Sequence, residues 1–212
     1  MPIIRHFLPP LSGNKAAPIL DFGSGRGRMT EFLIDQGFTQ VTGFERNELL
    51  REGLSPNARG ATVFGADVPK FLRESGKRWE VVVLRDVLYY FDDAGALAFL
   101  KELREFLAPN ALLLVEVFNG VCVTAPFTQF KDRGIRQCFT EHSLASLLTE
   151  AGFKVEVITG IKPVLRGPRS IAFYFGSRIW QWALRGIFWA ERGVDSQNPR
   201  IWERKIFASA RF

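Results

Sequence analysis

The chain has 212 residues, a formal net charge of +6 and 24% charged residues, values that suit one globular domain. No uncharged apolar run reaches the roughly 18 residues that a membrane-spanning helix needs. Arg5 and His6 precede Pro9 without the apolar stretch of a signal peptide. Two cysteines without a pairing pattern and two histidines predict neither a disulfide framework nor a metal site, and favour a cytoplasmic setting.

The positive charge is confined to the last quarter of the chain. Residues 162–212 carry ten Lys or Arg against three acidic residues, a net charge of +7, whereas residues 1–161 sum to −1. A protein that binds nucleic acid over its whole surface would spread its basic residues more evenly. Nucleic acid is therefore an unfavoured partner.

The stretch Pro18–Met29, PILDFGSGRGRM, predicts a buried strand, a glycine-rich turn and the start of a helix. Glycine permits positive φ and lets a ligand approach the backbone, and the helix that follows adds N–H donors. A dinucleotide-binding fingerprint, G-x-G-x-x-G/A, is excluded because the position that requires the last Gly or Ala is Arg28 or Thr30. A P-loop is excluded because no Gly-Lys-Ser/Thr follows. The carboxylate of Asp21, two residues before the first glycine, would suit an ammonium group and repel a pyrophosphate. A turn without a ligand is the alternative.

Two further carboxylates follow at the intervals of successive strand–helix units. Glu45 ends a predicted strand, where an acid can accept hydrogen bonds from both hydroxyls of a ribose, although it could instead cap a predicted helix Asn47–Arg51. Asp67 follows the predicted strand Ala61–Gly65 and could contact a ligand, cap the helix Val68–Glu74, or do both.

The D-x-G-x-G-x-G pattern at residues 21–27, with Glu45 and Asp67, resembles the class I S-adenosylmethionine-dependent methyltransferases. The resemblance implies S-adenosyl-L-methionine as cofactor, with Asp21 at its α-ammonium, Glu45 at its ribose and Asp67 at its adenine amino group. The cofactor-binding residues that it implies are Asp21, Phe22, Gly23, Ser24, Gly25, Gly27, Glu45, Arg46, Ala66, Asp67, Val68, Leu84 and Arg85.

Alternating strand and helix signals predict an α/β fold, a Rossmann-like doubly wound sheet. The resemblance adds seven strands in the order 3-2-1-4-5-7-6, with the last strand antiparallel. We expect one domain over residues 1–212, with a helical, aromatic-rich insertion at 163–200. Locally, we expect Asn119–Gln137 to be a loop, and Thr140 with Ser143 to form an incomplete capping box because Glu or Gln is missing.

The segment after the predicted strand Trp79–Leu84 is where this family brings the methyl acceptor to the donor. It lacks the Asn/Asp-Pro-Pro-aromatic tetrad of enzymes that methylate amino groups of nucleobases and some glutamines. The resemblance therefore argues against an amino-methyltransferase of DNA or RNA. Our leading hypothesis is a small or lipid-linked acceptor, methylated at oxygen. Candidate general bases are Asp86, Tyr90 and His142, although the tyrosine could simply pack and the histidine could be structural. The alternatives are an RNA-directed methyltransferase and a non-catalytic basic binding module on the same fold.

The insertion concentrates aromatic and basic residues. Four of the five tryptophans lie between Trp180 and Trp202. A narrow polar stripe recurs at helical spacing within the predicted helix Ser170–Arg192, formed by Arg178, Gln181, Arg185 and Arg192. An apolar face beside basic residues suits peripheral contact with the anionic inner face of a membrane. The same segment could instead form a lid over the acceptor pocket, and both interpretations fit an amphiphilic substrate.

Overall fold

The computed structural model describes residues 11, 13–163, 165 and 167–212, so Arg5, His6 and Pro9 lie outside the described residues. The strands are β1 (Ile19–Phe22), β2 (Val41–Glu45), β3 (Thr62–Phe64), β4 (Trp79–Arg85), β5 (Leu107–Phe118), β6 (Lys154–Gly160) and β7 (Lys205–Arg211). The helices are α1 (Arg28–Asp35), α2 (Pro56–Ala61), α3 (Val68–Glu74), α4 (Asp93–Arg104), α5 (Ala125–Phe130), α6 (Glu141–Glu150) and α7 (Pro168–Arg192). Short 3₁₀ turns follow β2 at Glu48–Gly53 and β4 at Leu88–Tyr90.

All seven strands form one sheet in the order β3-β2-β1-β4-β5-β7-β6. Strands β1 to β5 pair in parallel, and β7 runs antiparallel between β5 and β6. This confirms the predicted fold class, strand order and direction of the last strand. Because β7 is antiparallel, its first residue lies at the edge where the parallel strands end.

The sheet has an apolar core on each face, as a doubly wound fold requires. Successive side chains of a strand point to opposite faces. Val83 therefore belongs to the same buried cluster as Leu33 of α1, whereas the next residue, Leu84, belongs to the cluster that contains Leu100 of α4 and Leu148 of α6. All five of these side chains are fully buried. Burying β4 on both faces explains its nearly continuous apolar sequence.

Two local expectations were wrong. The loop expected over Asn119–Gln137 contains α5, which begins with Pro126 in its first turn, a position where proline is well tolerated. The capping box of α6 is complete, because Ser143 Oγ accepts a hydrogen bond from Thr140 N–H at 2.9 Å. A serine hydroxyl can therefore take the place of the expected Glu or Gln.

The insertion forms one long helix, α7, and returns to the sheet through a tightly held connection. The carboxylate of Glu141 accepts hydrogen bonds from the backbone N–H groups of Arg200 and Ile201. The buried side chain of Asn119 donates to the carbonyls of Ile201 and Glu203. Among the helices of the described residues, none is long and apolar enough to cross a membrane.

Candidate functional site

A cavity of about 720 Å³ opens where β1, β2 and β4 end. Its volume lies within the range of pockets for small organic ligands. It is lined by Asp21, Phe22, Gly23, Ser24, Gly25, Arg26, Arg28, Met29, Phe44, Glu45, Arg46, Asn47, Leu50, Val68, Arg85, Asp86, Val87, Tyr89, Tyr90 and Phe91. The glycine-rich turn and the segment after β4, which are separate in sequence, thus face the same space.

The turn between β1 and α1 requires glycine. Gly23, Gly25 and Gly27 have φ of 73°, 57° and 65°, a region that other L-residues occupy at a cost. A Cβ atom on Gly23 would lie 2.5 Å from Cγ2 of Val87, so its absence lets the segment after β4 approach the turn. Gly27 does not line the cavity; it caps α1, and a Cβ there would lie 2.8 Å from Cβ of Ala58.

Asp21 lies beneath the glycine turn and is almost completely covered, with 1% of its surface exposed. Its Oδ2 accepts a 2.7 Å hydrogen bond from Thr30 Oγ1. Burial raises the pKa of this carboxyl to about 6, against the lowering effects of the Thr30 hydrogen bond and the Arg85 charge. At neutral pH the site therefore contains a poorly solvated negative charge that a bound cation would stabilise.

Glu45 joins the end of β2 to the glycine turn. Its Oε2 accepts a hydrogen bond from Gly25 N–H at 2.7 Å, and its Oε1 accepts one from Asn47 N–H at 2.8 Å. A carboxylate oxygen can accept more than one hydrogen bond, so both oxygens keep capacity for ligand hydroxyls. The capping and ligand-binding roles are compatible.

The residues after β3 divide between two cavities. Val68 lines the first, whereas Ala66 and Asp67 line a second one of about 680 Å³ beside β3 and α3. Asp67 Oδ1 accepts a hydrogen bond from Lys70 N–H at 2.9 Å and so caps α3. Leu84 is buried in β4 and does not line the first cavity. The adenine-binding role of Asp67 stays a prediction.

Asp86 is held by a lysine from the far end of the chain. Lys205 Nζ donates to Oδ1 and Oδ2 of Asp86 at 2.8 and 2.7 Å, and to Oε1 of Glu116. Asp86 also has φ of +61°, an uncommon conformation outside glycine that asparagine and aspartate tolerate best. Burial raises the pKa of Asp86, and the nearby Lys205 ammonium opposes this shift. The result is a cavity-lining carboxylate whose pKa lies above its ordinary value.

Aromatic side chains form the wall next to Asp86. Tyr89 stacks on Phe118 with ring centroids 4.7 Å apart, and the more exposed Tyr90 approaches Asp132 through its hydroxyl, at 3.5 Å. Burial raises the pKa of both phenols, so they stay protonated at neutral pH. Of the three candidate bases, Asp86 and Tyr90 line the cavity, and His142 does not. His142 lies on α6, partly exposed, with Nε2 3.8 Å from Glu141.

Sequence reasoning missed Lys205, Glu116 and two cavity-lining arginines, Arg26 and Arg28. Of these residues, Lys205 could have been found from the predicted antiparallel last strand. Such a strand begins at the carboxyl edge of its parallel neighbours, which places its first residue beside the site. Glu116 carried no comparable signal, because it lies in the otherwise apolar stretch 111–118 of β5.

Residues 2–157 match the model of a family described as a methyltransferase domain. The chain belongs to this family. It is an S-adenosylmethionine-dependent methyltransferase of the class I type, and S-adenosylmethionine is its cofactor. No curated protein matches it by sequence.

Solved methyltransferase structures share the fold at low sequence identity. A SAM-dependent methyltransferase from Archaeoglobus fulgidus aligns with a TM-score of 0.69 and 15% identity over 99% of this chain and 91% of its own. A putative methyltransferase from Bacillus halodurans C-125 gives 0.66 and 13% over 100% and 99%. The Burkholderia thailandensis 1,6-didemethyltoxoflavin-N1-methyltransferase, solved with 1,6-didemethyltoxoflavin and S-adenosylhomocysteine, gives 0.57 and 19% over 99% and 75%.

The cavity of this methyltransferase suits such a cofactor. Gly23 and Gly25 line the cavity with positive φ, so their backbone is open to a ligand without an intervening side chain. Ser24 Oγ is buried and has no hydrogen-bond partner within the described part of the chain, so a polar ligand atom could satisfy it. In those same residues, no group of three or more His, Cys, Asp or Glu could hold a metal ion.

Proposed function

We propose that this methyltransferase transfers the methyl group to an oxygen atom of a small or lipid-linked acceptor. The observation that carries the proposal is the position of Asp86, a carboxylate with a raised pKa that lines the cavity between the glycine turn and an aromatic wall. Oxygen acceptors need a base, because a neutral hydroxyl must lose its proton as it attacks.

The donor end of the cavity is assigned to the residues around the glycine turn. Asp21 would stabilise the α-ammonium from beneath the turn, and Glu45 would accept hydrogen bonds from the ribose. The α-carboxylate calls for a cation, and Arg26 and Arg28 are cavity-lining guanidinium groups at the same turn. S-adenosylmethionine supplies a methyl group already activated by its sulfonium, so the protein contributes mainly alignment.

Asp86 is assigned the role of general base. It would take the proton of the acceptor hydroxyl while that oxygen forms its bond to the methyl group. A base works best when its pKa is near the working pH, and burial moves the pKa of Asp86 in that direction. Lys205 would hold both carboxylate oxygens in a fixed orientation. Tyr90, protonated at neutral pH, suits hydrogen-bond donation or packing better than proton removal.

The acceptor class is inferred from the cavity wall and the insertion. Tyr89, Tyr90 and Phe91 offer aromatic surface to a flat or apolar body. The Burkholderia structure with 1,6-didemethyltoxoflavin bound supports a small acceptor. The basic segment 163–200, with the exposed aromatic side chains of α7, supports an amphiphilic one, met by peripheral contact with the anionic inner face of a membrane.

Isothermal titration with S-adenosylmethionine tests the donor site. We expect Asp21→Ala to weaken binding at least tenfold at pH 7.5, since the variant loses the charge that faces the ammonium. Asp35→Ala, which removes an exposed carboxylate at the end of α1, should bind like the wild type. Unchanged binding in the Asp21 variant would contradict the proposed donor site.

Incubation with methyl-labelled cofactor and fractionated lysate tests the acceptor. We expect label in a small-molecule or lipid fraction, with the methyl group on oxygen by NMR of the purified product. Asp86→Asn should reduce labelling by roughly 10² to 10⁴, and Asp35→Asn should not. Label in RNA would refute the acceptor class, and label on nitrogen would refute the oxygen assignment. Loss of labelling in His142→Ala but not in Asp86→Asn would move the base role to His142.

A further inference from the structure

Helix α7 turns its polar side toward the body of the protein. Gln181 is its one buried residue among those described, and its Nε2 lies 3.4 Å from the Trp202 carbonyl, to which it donates. Gln181 Oε1 also accepts a hydrogen bond from Arg178. The Arg185 guanidinium and the Phe188 ring both lie against the Trp202 ring, at 6.0 and 5.1 Å. This is the reverse of an ordinary surface helix, whose apolar side faces the core.

The outward side of α7 is apolar along almost its whole length. Eight large apolar side chains, each between 44% and 72% exposed, lie there: Ile171, Phe173, Phe175, Ile179, Trp180, Trp182, Ile187 and Trp189. Between Ile171 and Ala190 the charged residues are Arg178 and Arg185, both half-buried on the inward side. An exposed apolar surface of this extent marks an interaction site.

The width of the outward face indicates what covers it. At about 100° per residue, Trp180 and Trp182 are about 200° apart and lie on opposite flanks of the helix. A single packed helix or sheet covers a stripe of about 100° and would leave one flank in water. A lipid interface can surround the whole arc, and tryptophan is the side chain that favours this depth.

The charge of the segment favours an anionic membrane over a second copy of this chain as the partner of α7. Residues 162–212 carry a net charge of +7, and the rest of the chain carries −1. Two copies joined through α7 would bring two of these positively charged segments together. An anionic lipid surface would instead attract this segment, as it attracts basic segments next to a membrane.

We propose that α7 is an interfacial anchor. Its outward face enters the headgroup region of an anionic bilayer, and the catalytic body stays on the water side, held through Trp202. The inference rests on the membrane contact proposed above, and adds the surface, its orientation and its lipid preference. A lid would have to present its apolar face to the cavity, and none of the cavity-lining residues belongs to α7.

Co-sedimentation of the full chain with vesicles tests the anchor. The vesicles are phosphatidylcholine alone and a roughly 7:3 mixture of phosphatidylcholine with phosphatidylserine. We expect binding to the anionic vesicles that falls with added salt, and little binding to the neutral ones. Trp180→Ser and Trp182→Ser should each lower the partition coefficient about fivefold and together at least tenfold. Leu49→Ser, which removes an apolar side chain that is 89% exposed on another element, should bind like the wild type.

Several outcomes would overturn the anchor. Equal binding by the double tryptophan variant would do so, as would equal binding to neutral vesicles or sensitivity to only one tryptophan. If the protein dimerises without lipid and does not bind vesicles, the outward face of α7 contacts a second copy of the chain instead. Tryptophan fluorescence that responds to S-adenosylmethionine, without vesicle binding, would indicate a lid. Titration of each tryptophan variant with S-adenosylmethionine verifies that it is folded. Because sedimentation requires no methyl transfer, failure of the proposed acceptor chemistry would leave this result unaffected.

Discussion

The Nζ atom of Lys205 lies 2.7 Å from Oδ2 of Asp86, although the two residues are 119 positions apart in the chain. The same ammonium contacts Glu116, so one cation lies between two carboxylates, one of which lines the cavity. The arrangement ties the first residue of β7 to the segment after β4.

Replacing Lys205 by methionine should destabilise the protein in a pH-dependent way. The ammonium that contacts both carboxylates would be lost. We expect this to cost about 2 kcal/mol at pH 7.5, below the value for fully buried pairs because Asp86 and Lys205 are partly exposed. The pKa of Asp86 is raised by burial, and without Lys205 it should rise further. A raised folded-state pKa means that stability falls as pH rises, so the loss should be smaller at pH 5. Urea unfolding at both pH values measures it.

Lys205→Arg is the matched control for that experiment. It keeps the charge and should retain most of the stability at both pH values. Equal stability of Lys205→Met and the wild type at pH 7.5 would show that the ammonium contributes nothing net.

Donor binding should depend on the ionisation of Asp21. Burial raises its pKa to about 6, so its carboxylate is lost as pH falls through 6. We expect the affinity for S-adenosylmethionine to fall between pH 7.5 and pH 5, because only the ionised form attracts the ammonium. Titration calorimetry at these pH values measures the change. Asp21→Asn should bind weakly at both, and a wild-type affinity that does not vary with pH would contradict the role of Asp21.

The same burial predicts that Asp21→Asn stabilises the fold at neutral pH. An ionised buried carboxylate whose pKa is raised to about 6 costs on the order of 3 kcal/mol above that pH. The asparagine variant avoids this cost and can still accept the Thr30 hydrogen bond. Denaturant unfolding should show the gain at pH 8 and its disappearance below about pH 4. A variant less stable than the wild type at pH 8 would argue against the raised pKa.

Alanine at Gly23 should cost more than alanine at Gly25. Both positions have positive φ, which costs about 1–2 kcal/mol for alanine. At Gly23 the new Cβ would also meet Val87, whereas at Gly25 the nearest atom is 3.9 Å away. Unfolding free energies and cofactor titration should therefore rank the wild type above Gly25→Ala and Gly25→Ala above Gly23→Ala. Val87→Ala should partly rescue Gly23→Ala, and no rescue would show that the clash is not the cause.

Glu141 should matter for stability rather than chemistry. Its carboxylate accepts the N–H groups of Arg200 and Ile201, and alanine would leave both donors without a partner. We expect Glu141→Ala to lower the free energy of unfolding by about 2 kcal/mol. Glu150→Ala, at the exposed end of the same helix, is the control. Cofactor affinity should not change in either variant, and a loss of affinity would place the connection after α7 in the donor site.

Local sequence rules predicted those parts of the fold that local geometry decides. A glycine that follows a helix often adopts positive φ, and Gly37 after α1 has φ of 85°. The alternation of strands and helices likewise follows from short-range patterns, and the resemblance added the strand order. The glycine turn could be placed because its residues are adjacent in sequence and share one conformation.

The parts that sequence could not give depend on tertiary geometry. Lys205 meets Asp86 only because β7 is inserted beside β5 in a particular register, which pairs Lys205 with Phe118. The spacing of Arg178 and Arg185 predicted a polar stripe on α7, but periodicity does not say which side faces the protein. Asp67 was placed correctly after β3, yet the end of that strand borders two cavities, and spacing alone does not choose between them.

The pairing of β6 with β7 brings the two ends of the insertion together at the sheet. Gly160 is opposite Ile206, and Ile161 N–H donates to the Lys205 carbonyl, so the chain returns to the sheet beside the point where it left. The whole insertion is therefore a hairpin loop enlarged to hold a helix. A loop of this kind can be lengthened, shortened or exchanged without changing the register of the sheet.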